Sequence, residues 1–137
     1  MRRVPYSSQP FATVFGRERH YIITTDNRNH IENEAVNFPI SSIASDLTML
    51  SVCSIHDQLI AEEIDARIVN TVHDSIIIEC IDDPKALRRV ADIGATTMSE
   101  MPKVYLKDPV LTFPFRADVE IGQSWGALKE PEWGGEE

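Results

Sequence analysis

Two short runs rich in β-branched residues, "RIVNT" (67–71) and "IIIECI" (76–81), are separated only by "VHDS" (72–75). Runs of this composition favour strands. Parallel strands need a crossover of about a dozen residues or more, so a four-residue gap leaves only an antiparallel hairpin. Side chains alternate along a strand, which sets Val72 on one face and His73 on the other, with Asp74 and Ser75 filling the turn. Two readings of the charged pair stay open. Asp and Ser form turns without any chemistry being required. A carboxylate held rigidly at the edge of apolar strands also suits Mg²⁺, which one or two carboxylates and substrate phosphates commonly bind.

The rest of the chain gives that hairpin something to pack on. Ile40, Ile43, Leu47 and Leu50 recur at helical spacing, and Val52, Ile55 and Leu59 broaden the stripe. Pro39 suits the first turn of this helix, with Asn37 or Phe38 just outside it. The cluster Glu62, Glu63, Asp65 ends the pattern, so a long, largely buried helix is expected, preceded by a short one over 30–36. "DDP" (82–84) is a helix start, and Leu87, Val90, Ile93 and Met98 place a second helix over 85–100. Residues 11–24 read as two extended stretches around Gly16, and 110–122 as a last strand whose pairing Pro114 limits. The expected class is α+β, helices backing a small antiparallel sheet.

At 137 residues the chain is one domain's worth, long enough to bury a core. Cys53 and Cys80 lack a second Cys or His at metal-ligand spacing and are expected to be reduced core thiols of a cytosolic protein. "MRRVPYSSQPFATVF" has no apolar stretch behind its arginines, so it is not a secretory signal. No apolar run approaches the roughly 18 residues that span a bilayer, so no membrane partner and a cytoplasmic location are expected. The net charge of −9 is uneven: residues 1–30 carry five arginines against Glu18 and Asp26, +3, which leaves −12 on the remainder. A basic head beside an acidic body can serve phosphate binding next to a carboxylate site, or be a solvated surface. A second His-Asp pair, His56-Asp57, raises a metal-dependent phosphohydrolase. Such sites are built among helices, however, and a helical pair does not easily share a metal with a hairpin tip.

Four stretches, in order, resemble family A DNA polymerases. "VHDS" resembles the Val-His-Asp-Glu hairpin tip of the palm. "TVFGRERHYI" (13–22) resembles the Thr-Leu-x-Gly-Arg-Arg stretch before the long palm helix. "IENEAVNFPISSIASDLTML" (31–50) resembles the opening of that helix, matching at Glu32, Ala35, Asn37, Pro39, Ala44 and Asp46. "ADVEIGQSW" (117–125) resembles the C-terminal Val-Asp-Val-Gly-x-Gly-x-Asn-Trp, matching at Asp118, Val119, Gly122 and Trp125. The resemblance spans 13–125. It implies an N-terminal extension (1–12), a partial palm (13–126) and an acidic, frayed tail (127–137).

The resemblance also implies roles. Asp74 matches the second of two aspartates that hold two Mg²⁺ ions, and His73 matches the histidine beside the primer terminus. Arg17, Arg19 and Arg28 fall where the family sets cationic and polar side chains near the DNA backbone. Asn37 falls where the family contacts the minor-groove side of the nascent pair; a helix N-cap is its other reading. Asp118 and Trp125 are expected to be architectural. The departures are Ser75 for Glu, which gives the metal site weaker support, Asn33 for Arg, and Ser41-Ser42 for Gln-Gly. The last removes a long side chain that checks minor-groove acceptors. Nothing in 1–137 resembles the family's first catalytic aspartate or its dNTP-binding fingers. The implied protein is therefore a C-terminal subunit or fragment of a DNA polymerase. Met1 before the non-family "RRVPYSSQPF" favours a natural start, as in a split viral gene. Its partners are primer–template DNA, a complementary N-terminal polymerase chain and, through that chain, dNTP. The competing expectation is a catalytically silent DNA-binding or scaffold remnant.

Overall fold

The computed structural model describes residues 11–22, 28–106 and 115–131. In order it contains β1 (Phe11–Ala12), β2 (Glu18–Arg19), α1 (Arg28–Ala61), β3 (Ala66–Val72), β4 (Ser75–Cys80), α2 (Pro84–Leu106) and a 3₁₀ turn (Trp125–Ala127). The class is α+β: two helices and two antiparallel two-stranded sheets, β1–β2 and β3–β4. Pro109, residues 110–114 of the expected last strand and the end of the tail lie outside the described residues. So do the first ten residues.

The β3–β4 hairpin is as the four-residue gap required. Pairing runs from Ala66↔Cys80 to Val72↔Ser75 and moves by one residue between Ile68 and Asn70, where Val69 is the extra residue of a bulge. Ile76, Ile78 and Cys80 point to the helices, where Ile55, Leu59, Val90 and Ile93 form the core with Ile64, Ala66, Ile68 and Met98 packed on it. Ser75, Ile77 and Glu79 alternate to the other face.

Both helix ends beside this core have a local cause. Asp83 caps α2, its Oδ2 accepting from the Ala86 amide at 2.9 Å, as "DDP" predicted. At the end of α1 the Ile64 amide donates to the Leu59 carbonyl and the Glu63 amide to the Ile60 carbonyl, both at 3.1 Å. Glu63 has φ 53° and Ile64 packs near Leu59 in the core, a Schellman ending with glutamate where glycine is usual.

The largest difference from the sequence reading is α1. One helix of 34 residues runs through Pro39, where a short helix and a separate long one were expected. Proline removes one donor and crowds the preceding turn, yet the helix continues through it, its N-terminal half anchored from outside by the Arg17–Asp46 and Arg19–Glu34 pairs. Asn37 therefore lies inside the helix, which rules out its N-cap reading. Nor is α1 largely buried. Its C-terminal half buries Thr48, Ser51, Ile55 and Leu59, and its N-terminal half buries Ile31 and Ser42. At 3.6 residues per turn these stripes are about a third of a turn apart. Val36, Ile40, Met49 and Ile60 are left exposed, and Cys53 is exposed too, so it is not a core thiol.

By length and average hydropathy, α1 is also apolar enough over Asn29–Ala61 to cross a bilayer. Counting uninterrupted apolar residues missed this, because serines and threonines are spread through it. The helix is packed along both halves. Gln58 Nε2 reaches Thr97 Oγ1 of α2 at 2.9 Å, and Asp46 is ion-paired to Arg17.

The anchor of the N-terminal half is the β1–β2 hairpin. The Gly16 amide donates to the Thr13 carbonyl at 2.9 Å, and Gly16 has φ 77°, as the turn expected there needs. Phe15 meets Tyr105 at the end of α2, ring centroids 6.3 Å apart. Of the expected last strand, 117–121 alternates in burial, with Ala117, Val119 and Ile121 half-buried and Asp118 and Glu120 exposed. It joins no ladder among the described residues. Only the bridge Ile121↔Lys129 forms, because the chain turns back at once through the 3₁₀ turn.

Candidate functional site

The tip of β3–β4 is a two-residue loop, His73-Asp74, closed by the pair Val72↔Ser75. The sequence reading had put Asp74 and Ser75 in the turn and His73 on a strand. The structure moves the turn back by one: Ser75 begins β4, and His73 opens the loop at φ 56°. Of the two central residues only the first has positive φ, the type II′ pattern in which glycine is the usual occupant. A side chain there costs about 1–2 kcal/mol. His73, Asp74 and Ser75 are all exposed.

The hairpin therefore presents a carboxylate and an imidazole to solvent from a short loop on a packed base. Mg²⁺ needs more than this. Among the described residues no three His, Cys, Asp or Glu side chains gather into a metal-binding group. The tip offers one carboxylate with a neighbouring hydroxyl, so by itself it does not fit a resident divalent cation. His56 and Asp57 are exposed on α1 and join no such group with His73-Asp74. An open groove of about 700 Å³ lies between β4, α2 and 117–128, lined by Ile77, Leu87, Met98, Val119 and Trp125 among others. Neither His73 nor Asp74 borders it.

The remaining sequence-expected contacts form a second cluster on β1–β2 and the N-terminal half of α1. Asn37 and Ser41 are exposed and four residues apart, hence neighbours on one helix face. Arg17 is ion-paired to Asp46, which raises the Arg17 pKa further, chiefly through the hydrogen bond and then through the charge. The other Asp46 oxygen is buried with no hydrogen-bond partner among the described residues. Arg19 is ion-paired to Glu34, with its guanidinium carbon 5.4 Å from the Tyr21 ring centre and 5.5 Å from that of Phe38. Arg28 begins α1, and its side chain lies outside the described residues. Among the described residues no hydrogen bond or ion pair links this cluster to His73 or Asp74.

Sequence reasoning passed over Glu34, Phe38 and the partnership of Asp46. The available signal was Glu34 and Phe38 at i, i+4 beside an arginine-bearing hairpin. At the other end, Gly122 has a reason of its own. A Cβ there would fall against the Ala127 carbonyl oxygen and 2.7 Å from its carbon. Gln123 Nε2 ties the same loop to Asp82 at 3.1 Å.

A family model described as DNA polymerase family A matches residues 6–127. DNA polymerase I of Aquifex aeolicus is 33% identical over 93 residues, which is 68% of this chain and 15% of that protein. DNA polymerase theta of Caenorhabditis elegans is 29% identical over 126 residues, 88% of this chain and 7% of that protein. DNA polymerase I of Chloroflexus aurantiacus is 28% identical over 130 residues, 83% of this chain and 13% of that protein. The chain thus spans about a seventh or less of the length of these relatives. No solved structure matches significantly.

Proposed function

The chain belongs to DNA polymerase family A, and from that premise we propose that residues 13–126 are the C-terminal portion of a polymerase palm. It acts as a C-terminal subunit or fragment in template-directed nucleotidyl transfer during DNA replication. The observation that carries the reading is Asp74, exposed on a two-residue loop at the end of a hairpin whose base is packed into the core. That is where a carboxylate must stand to meet a metal shared with another segment.

Asp74 is assigned as one ligand of a two-Mg²⁺ site, with Ser75 supporting it less directly than a glutamate would. His73 is assigned to the primer terminus. The other aspartate, the family's first, and the fingers come from polymerase sequence outside these 137 residues, on a complementary N-terminal chain. When bound, the two ions would activate the primer 3′-hydroxyl and neutralise the leaving pyrophosphate. This chain's own part is to hold one carboxylate at the metals, set an imidazole against the primer end and present Asn37 and Ser41 to the duplex. Arg17 and Arg28 supply positive charge near the DNA backbone, an attraction that salt weakens. With Ser41 and Asn33 where the family has longer side chains, minor-groove checking is weakened more than the fold.

The test is Mg²⁺-dependent primer extension after mixing the chain with the complementary polymerase segment. Extension should appear in the mixture and vanish with Asp74→Ala. Full activity in that variant would remove Asp74 from the site. A second reading, a catalytically silent DNA-binding or scaffold remnant, is favoured by the single carboxylate at the tip and by Ser75. It predicts binding to primer–template without extension in any complementation.

A further inference from the structure

Arg19 was expected at the DNA backbone, yet at the surface its charge is already paired within the chain. Its guanidinium pairs with Glu34 and stands 5.4 Å and 5.5 Å from the ring centres of Tyr21 and Phe38. Glu34 and Phe38 are i, i+4 on α1, so these two contacts converge on one patch of helix surface, while Tyr21 stands just after β2. Asn37 and Ser41 adjoin it: relative to Glu34 they lie at i+3 and i+7, and relative to Phe38 at i−1 and i+3. The β1–β2 hairpin thus grips α1 on the edge of the face that carries Asn37 and Ser41. It does so at Pro39, where the helix lacks one hydrogen bond and its direction is least fixed by its own backbone.

We propose that Arg19 is a positioning residue: through Glu34 and Phe38 it fixes the bearing of Asn37 and Ser41 and does not itself bind phosphate. The duplex part of this inference rests on the palm reading; the clamp does not. Arginine suits the task because its planar fork can pair with a carboxylate while its face lies over an aromatic ring, which a lysine cannot reproduce.

The experiment measures amide hydrogen exchange and primer–template binding on the full chain. In Arg19→Lys, protection at the Asn37 and Phe38 amides falls about five- to tenfold, while that of α2 is unchanged. Glu34→Gln produces the same fall, and the double variant Arg19→Lys/Glu34→Gln falls no further. The exchanged pair Arg19→Glu/Glu34→Arg restores at least half of the lost protection, which a general loosening of the fold would not do.

Binding separates the two roles by sign. If Arg19 bound phosphate, Glu34→Gln would free it and tighten the complex; as a clamp, Glu34→Gln weakens the complex. Arg19→Gln weakens it as well, but leaves the slope of affinity against salt unchanged, where a lost phosphate contact would lower that slope by about one. Unchanged protection in Arg19→Lys, or tighter binding in Glu34→Gln, overturns the proposal. If the wild-type chain fails to bind the duplex, the palm reading loses support, and the exchange results alone decide the clamp.

Discussion

Arg89 of α2 grips Glu62, just beyond the end of α1, with two hydrogen bonds, Nε to Oε2 at 2.7 Å and Nη2 to Oε1 at 2.5 Å. The hydrogen bonding, more than the charge alone, holds the Glu62 carboxyl below its usual range, against a smaller opposing effect of desolvation. A depressed carboxylate pKa in the folded state adds stability above the unfolded pKa and loses it as pH falls through the folded value. Thermal melts on the acid side of pH 7 should therefore show a fall in midpoint below the ordinary glutamate range that is shallower in Glu62→Gln. Equal slopes for the two proteins would show that the pair does not contribute.

His73 should be a poor choice for its own loop. Replacing it with glycine removes the cost of a side chain at φ 56° and should raise stability by about 0.5–1 kcal/mol in urea unfolding, after allowing for glycine's greater freedom when unfolded. The same variant should lower primer extension in the reconstituted polymerase. A gain in stability with a loss in activity marks strain retained for function. If His73→Gly were destabilising, the left-handed conformation would not be a strain.

Glu63 supplies the control for that argument. It shares the left-handed backbone, φ 53°, but stands at the end of α1 with no part in the tip. Glu63→Gly should stabilise by a similar amount, about 0.5–1 kcal/mol, by restoring the usual residue to a Schellman ending. Extension by the assembled polymerase should be unchanged, so the two glycine variants are to be compared side by side in unfolding and in activity.

These cases show where sequence carried the fold and where it stopped. Local signals were enough for the β3–β4 hairpin, the turn at Gly16 and the Asp83 cap, because each depends on a few adjacent residues. Pro39 misled because a proline is read by its missing donor, while the contacts that hold the helix through it come from Arg17 and Arg19, on another element. The position of Asp74 was legible; the left-handed backbone of His73 was not, since no glycine or asparagine marks it. Alternation in 117–121 was real, yet alternation records which side is buried and not whether a neighbouring strand supplies hydrogen bonds.

Ile55 carries the packing on which the site depends. It is fully buried, at 0% exposure, where α1, α2 and the β3–β4 sheet meet. Ile55→Ala removes a branched side chain from a core with few other fully buried members and should cost about 2–5 kcal/mol in urea unfolding. For a domain of marginal stability that is a large share of the total. Ile60, on the same helix but exposed at 63%, should change by less than about 0.5 kcal/mol when replaced by serine. Should Ile60→Ser prove as costly as Ile55→Ala, the exposed side of α1 would be covered in solution, and the core would be larger than the α1–α2–sheet cluster.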